Sequence, residues 1–167
     1  RLAADMTRAY IDGFQTSYGE DVIEDGWGRM SVNCMVKHWP GGGSGEAGRD
    51  AHLGFGKYAV FPGENLDTNI FVFNHGAFKL DGPTKQASAV MPYYTISYAQ
   101  DPSGKNVANA FSRYIIHHAL CRKIRSSGRK ILNTGSNGMI AEGRISTAAQ
   151  SKQIKQHLQA NTIEHVT

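Results

Sequence analysis

The stretch Arg29-Met30-Ser31-Val32-Asn33-Cys34-Met35-Val36-Lys37-His38-Trp39-Pro40-Gly41-Gly42-Gly43, residues 29–43, decides how this chain reads. Its even positions, Met30, Val32, Cys34, Val36 and His38, alternate with the more polar Arg29, Ser31, Asn33 and Lys37. Successive side chains of a strand face opposite sides, so the pattern predicts a β-strand with one apolar face. Pro40 and the glycines after it end that strand. Lys37 and His38 therefore stand at a strand's last residues, just before a glycine-rich loop, where an α/β barrel binds its substrate.

Elements on either side repeat the same logic. Leu2, Met6, Tyr10 and Phe14 recur every fourth residue with Asp5, Arg8 and Asp12 between them, which predicts a short amphipathic opening helix. Glu20 to Gly28 has no period and reads as a loop. From Pro40 to Gly48 glycine is too dense for helix or strand, and the chain on to Phe61 reads as a long loop with some strand character. Leu66, Ile70, Phe73 and Ala77 favour a helix over residues 65–79 rather than a strand through Ile70 to Phe73. Asp81-Gly82-Pro83 stops it. Ala87 to Met91 reads as a buried strand ending at Pro92-Tyr93-Tyr94.

Beyond Asp101-Pro102-Ser103-Gly104 a helical period runs to about Arg125, with Val107, Ala110, Phe111, Tyr114, Ile115 and His118 on one face. Ile131-Leu132 suggests a further strand ending at Asn133-Thr134, and Thr147 with Gln150 forms a capping-box pattern opening a last helix to about Ala160. Helices and strands thus alternate, the order of βα units around a parallel sheet, so the fold class is α/β.

Composition narrows the classes. A chain of 167 residues suffices for one domain, or a piece of a larger one, and buries roughly 70% of its unfolded surface. With 40% apolar and 19% charged residues it falls outside the disordered class. Cys34 and Cys121 are too few for a disulfide framework, and no apolar run approaches the roughly 20 residues that cross a bilayer. The first residue is Arg1, so a leader or preceding domain is expected to be missing, and localisation stays open. From Gly104 onward ten Lys/Arg stand against two acids, whereas residues 1–103 carry eight against twelve. That asymmetry admits a polyanion partner or a solvated face.

Several separated motifs together resemble the catalytic domain of glycoside hydrolase family 3, of the β-glucosidase type. Val36-Lys37-His38-Trp39-Pro40-Gly41-Gly42-Gly43 is similar to the family's Lys-His dipeptide and glycine loop. Gly48-Arg49-Asp50-Ala51-His52 and Gly56-Lys57-Tyr58-Ala59-Val60 resemble the segment after that loop in one branch of the family. Ala89-Val90-Met91-Pro92-Tyr93-Tyr94 resembles the strand ending at the sugar site, and Asn106-Val107, Asn109-Ala110-Phe111 and Tyr114-Ile115-Ile116 resemble the next helix. The resemblance runs from about residue 3 to 122. It implies an internal piece of a (β/α)8 barrel, roughly three of eight βα repeats with a long loop after the first strand, since such a barrel takes about 250 residues.

The resemblance also implies a retaining hydrolase that removes terminal β-linked sugars through a covalent intermediate. Lys37, His38, Tyr94, Tyr93 and Trp39 are then the expected substrate-binding residues, and no cofactor or metal is expected. The family's nucleophilic aspartate would come directly after the strand Ile131 to Thr134, where this chain has Gly135, so no catalytic residue is named and an inactive fragment is expected.

Each of these residues also has an ordinary structural reading. Lys37 and His38 can simply end a strand in water, and the aromatics can pack at the edge of a core. Gly43-Ser44-Gly45-Glu46-Ala47-Gly48 matches the dinucleotide fingerprint literally but lacks the immediately adjoining helix. His117-His118 and Cys34 read as packing residues. Two alternatives stay open: a non-catalytic carbohydrate-binding remnant, and a nucleic-acid-binding module using Arg122, Lys123, Arg125, Arg129 and Lys130. A terminal β-linked sugar is the expected partner, in preference to a nucleic acid or a membrane.

Overall fold

The computed structural model describes residues 1–121, 130–133 and 139–142. Along the chain run α1 (Leu2–Gln15), β1 (Val22–Glu24), β2 (Trp27–Gly28), β3 (Met35–Trp39), β4 (Tyr58–Ala59), α2 (Leu66–Val72), β5 (Ala89–Pro92) and β6 (Ile96–Ser97). A π-helix (Tyr114–Cys121), β7 (Lys130–Asn133) and β8 (Met139–Glu142) come next. The main sheet has the order β3-β5-β8-β7. In it β3 and β5 pair in parallel, Val36 opposite Val90. The chain between them passes through α2 and a π-turn, Phe73–Ala77, closed by the Phe78 N–H donating to Phe73 O at 2.8 Å. The helix expected over residues 65–79 is thus present in two parts.

The parallel pair organises the core. Trp39, Ile70, Phe73, Val90, Ile115 and Leu120 form one buried cluster, with the Trp39 ring edge-on to Phe73 at 5.1 Å. Ile11, Ala77, Leu80 and Ala87 form a second one under α1. Gln15, wholly buried, ties the amino ends of the two strands to that helix. Its Oε1 accepts from Ser88 N–H at 3.0 Å, Ser88 Oγ at 3.0 Å and Cys34 N–H at 3.3 Å, while Nε2 donates to Gln86 O at 2.9 Å. The amino ends of the two strands are therefore held by buried hydrogen bonds.

Four expectations are corrected. The strand begins at Met35 rather than Arg29, because Val32 N–H donates to Phe14 O and Gly28 N–H to Ser31 Oγ, a turn that outcompetes the alternation. Residues 20–28 are not all loop: β1 and β2 pair antiparallel about Asp25-Gly26, both at positive φ, the residues a tight hairpin requires. α1 forms as expected but buries Ala4, Ile11 and Gln15, leaving Leu2, Met6, Tyr10 and Phe14 exposed. Its close approach to the π-turn explains this, since a Cβ at Gly76 would lie 2.9 Å from Ala4 O and only small residues fit there. Finally, the helix expected from Gly104 starts late. Asn109 is drawn away to hold Thr95 and Ser97, and the Ser112 hydroxyl accepts from Ile115 N–H at 3.1 Å, opening the π-helix.

Ile131 and Leu132 do lie in a strand, but β7 pairs antiparallel with β8, and β8 antiparallel with β5. The next position beside β5 is therefore filled by a hairpin arm instead of a third parallel strand. The fold is mixed α/β with small parallel pairs, β3–β5 and β4–β6. Gly135 and the last expected helix lie outside the described residues. So do Arg122, Lys123, Arg125 and Arg129 of the basic cluster.

Candidate functional site

β3 and β5 end side by side, and Tyr93 N–H donates to Trp39 O at 2.9 Å just beyond the last pair. That bond brings the residues around Lys37-His38 and Tyr93-Tyr94 to one rim. The His38 ring stacks on Tyr93 at 4.3 Å and 27°, and Tyr93 stacks on Tyr94 at 6.1 Å and 20°. Tyr94 is 54% exposed, so its ring and hydroxyl are available to a ligand. Gly42 stands against His38, its absent Cβ at 3.4 Å from Nδ1, so a glycine here leaves the imidazole uncovered on that side. Lys37 is exposed and lines a groove with Gly41, Gly42 and Asn69.

Trp39 goes elsewhere. It is 0% exposed, and its Nε1–H donates to Ile115 O at 3.1 Å within the core. It has no surface to offer a sugar, and its role is to anchor the strand end from behind. The physical reason is parity: the register slips between Lys37 and Trp39, and the indole turns in toward Phe73.

The long loop after β3 supplies two residues that sequence reasoning leaves without a role. His52 meets the edge of Tyr94 at 5.3 Å and 75°, and its Nδ1 lies 2.7 Å from Asp50 Oδ1. The same carboxylate oxygen accepts the His52 backbone N–H at 3.0 Å. Both bonds hold Asp50 below the usual carboxylate range, the backbone bond most strongly. The signal is present in Asp50-Ala51-His52, because a carboxylate two residues before another residue readily closes such a turn. The carboxylate thus fixes the orientation of the imidazole beside Tyr94.

The loop is held in place at several points. Val60 N–H donates to Ser44 O at 2.8 Å, and Ser44 Oγ to Asn69 Oδ1 at 3.2 Å on α2. β4 pairs with β6, Ile96 N–H donating to Lys57 O at 2.7 Å. Gly56 packs directly on the Asp50 backbone, where any Cβ would collide with its carbonyl. Behind Tyr94, the buried Asn109 donates through Nδ2 to Thr95 Oγ1 at 3.0 Å and accepts from Ser97 Oγ at 2.7 Å.

Burial lowers the pKa of His38, and the nearby Lys37 cation and His52 push it further down. The imidazole is therefore neutral at neutral pH, able to donate from one nitrogen and accept at the other. Together the rim offers a neutral imidazole, two phenol rings and a carboxylate-fixed imidazole beside one another, with Lys37 in the adjoining groove. Neutral polyhydroxyl ligands are recognised by such a mix of hydrogen-bonding groups and aromatic faces.

These side chains lie together at the strand ends of an α/β segment. Comparison with known proteins gives the family. The chain is 30% identical over 146 residues to "Probable beta-glucosidase C" of Aspergillus flavus, covering 86% of this chain and 20% of that protein. It is 31% identical over 137 residues to "Beta-glucosidase C" of Emericella nidulans, covering 80% of this chain and 19% of the relative. A "Periplasmic beta-glucosidase/beta-xylosidase" of Dickeya chrysanthemi is 34% identical over 118 residues, 69% of this chain and 16% of its own length. No family model matches. The chain belongs with these β-glucosidases, in the glycoside hydrolase family 3 that its motifs resemble, and spans about one fifth of the length of the first of them.

Proposed function

We propose that this chain forms the sugar-gripping part of a β-glucosidase-type hydrolase, a segment of a (β/α)8 barrel whose parent removes terminal β-linked sugars by a retaining mechanism. The observation that carries this is the convergence of His38, Tyr93, Tyr94 and the Asp50–His52 pair at the carboxyl ends of β3 and β5. Lys37 and His38 hold sugar hydroxyls, and Tyr94 covers a ring face. The neutral state of His38 suits this task, because it can both donate to and accept from one hydroxyl.

A retaining mechanism needs two carboxyl groups about 5 to 5.5 Å apart, one of them a nucleophile. The residue at the expected nucleophile position is Gly135, which carries no side chain. These 167 residues are thus expected to bind sugar without turning it over. Calorimetric titration with glucose should give weak binding, and Lys37→Ala or His38→Ala should each weaken it about tenfold, the worth of a charged or buried hydrogen bond. Chromogenic β-glucosides and β-xylosides should remain intact. Release of chromophore would overturn the inactive reading, and glucose binding indifferent to both substitutions would overturn the site.

A further inference from the structure

Resting on the sugar-binding reading for where a terminal sugar lies, we infer that the outward face of the β4–β6 ribbon is a second carbohydrate surface, one that takes the further sugars of a β-linked oligosaccharide. Burial alternates along the chain here. Tyr94 is 54% exposed, Thr95 is buried, Ile96 half-buried, Ser97 buried and Tyr98 53% exposed. Thr95 and Ser97 are held inward by their hydrogen bonds to the buried Asn109. Tyr94, Ile96 and Tyr98 are thus left on the outward side, a row of at most about 13 Å from the first tyrosine to the last.

The loop after β3 runs beside that row and doubles it. Tyr58 stands opposite Ile96 in the parallel ladder, and its ring meets Tyr98 edge-on at 5.7 Å and 78°. At the other end His52 meets Tyr94 in the same manner at 5.3 Å and 75°. The two ring pairs therefore join the same two segments of chain, one pair at the rim and one a few residues beyond it. Lys57 Nζ lies 5.2 Å from the centroid of the Tyr58 ring and has no carboxylate partner among the described residues. Ring faces beside an ammonium and phenol hydroxyls suit pyranose rings, whose C–H faces are apolar and whose hydroxyls need hydrogen-bond partners.

The backbone under these rings is fastened from both sides. Ile96 N–H donates to Lys57 O at 2.7 Å, and Tyr98 N–H donates to Ala59 O at 3.0 Å. Rings carried on a fixed backbone lose little freedom when a ligand stacks on them, so little of the contact is offset by ordering. The row also begins at Tyr94, which stacks on Tyr93 within the rim. A ligand held at the rim by its terminal sugar reaches Tyr98 without leaving the surface. That continuity favours one class of ligand along the whole row, and affinity then depends on the number of sugars as well as on the terminal one.

The test titrates the full 167-residue chain with glucose and with cellotetraose by calorimetry. Cellotetraose should bind about tenfold more tightly, the worth of one or two ring contacts. Tyr98→Ala should bring cellotetraose down to the level of glucose while leaving glucose affinity and far-ultraviolet circular dichroism unchanged, and Tyr98→Phe should keep the gain. Lys57→Met should cut the gain about threefold through lost hydrogen-bond donors. Equal affinity for the two sugars, or a gain indifferent to both Tyr98→Ala and Lys57→Met, overturns the inference. A gain shown by 4-nitrophenyl β-glucoside but not by cellotetraose, and lost in Tyr98→Ala, also overturns it by making an aryl group the occupant. His38→Ala separates this surface from the rim. Glucose bound through His38 with no gain for cellotetraose overturns the row and leaves the rim standing. Cellotetraose bound through Tyr98 with no dependence on His38 supports the row and overturns the rim.

Discussion

At His38 three influences act in one direction: burial, the Lys37 cation and His52 all disfavour the protonated ring. The folded pKa therefore lies below the ordinary 6.5, and the unfolded chain binds the proton more readily. Stability is full above about 6.5, falls as pH drops through the window down to the folded pKa, and is flat with respect to this group below it. Proton NMR of the ring should give a pKa below 6.5 in the native chain. Lys37→Met should raise it, and His52→Gln should raise it less. Burial remains in both variants, so neither should restore the ordinary value. An unchanged titration in Lys37→Met would show that the two side chains diverge at the rim. Asp50 obeys the opposite rule: its carboxylate is held below the usual range by His52, so its contribution is present at neutral pH and lost on acidification. Asp50→Asn should leave the fold intact, since the residue is exposed, but release the His52 ring from its fixed orientation, visible as loss of the His52–Tyr94 ring-current shift.

Among the elements, α1 is secured by one glutamine. Gln15 satisfies backbone groups of both parallel strands while wholly buried. Gln15→Ala leaves the Ser88 and Cys34 N–H groups unpaired and should cost about 2 to 4 kcal/mol in denaturant unfolding. A cost under about 0.5 kcal/mol would mean that water replaces the amide without penalty. The same residue explains which parts of the fold are legible in sequence. The opening helix is readable from its period, but the face it buries is not, because Ala4 and Gln15 carry no hydrophobic signal and act through close packing and hydrogen bonds. The strand through Val36-Lys37-His38 is readable from its alternation before Pro40, and the strand at Ala89 to Pro92 from an apolar run, and with them the rim formed by His38, Tyr93 and Tyr94. The burial of Trp39 is not, because the register slip after Lys37 is set by tertiary packing. The Asp50–His52 pair escapes a periodic reading because β4 and β6, which fasten its loop, are only two residues long each. The hairpin of β7 and β8 beside β5 is likewise invisible to a reading that expects each strand to return in parallel.

For the whole molecule the question is whether two buried clusters behave as one core. The cluster around Trp39 and the one around Ile11 share neighbours: Val36 and Phe78 pack against both. Phe78 also contacts both Trp39 and Phe73, with ring centroids 6.2 Å apart in each case. Shared neighbours couple the clusters, because loosening either removes packing from the other. Thermal unfolding should therefore be a single transition. In a Trp27→Phe background, where Trp39 is the remaining indole, tryptophan fluorescence should report a midpoint coincident with that of far-ultraviolet circular dichroism. Phe78→Ala removes the shared ring and should cost about 3 kcal/mol, equivalent to a fall in Tm of roughly 6 to 12 °C for a chain of this size. The decisive comparison is between probes in that variant. If Phe78 is the bridge, fluorescence and circular dichroism should separate once it is lost, the α1 cluster melting before Trp39 is exposed. Midpoints that remain together in Phe78→Ala would place the coupling in Val36 and the strand pair instead, and midpoints already apart in the native chain would show two cores that unfold independently.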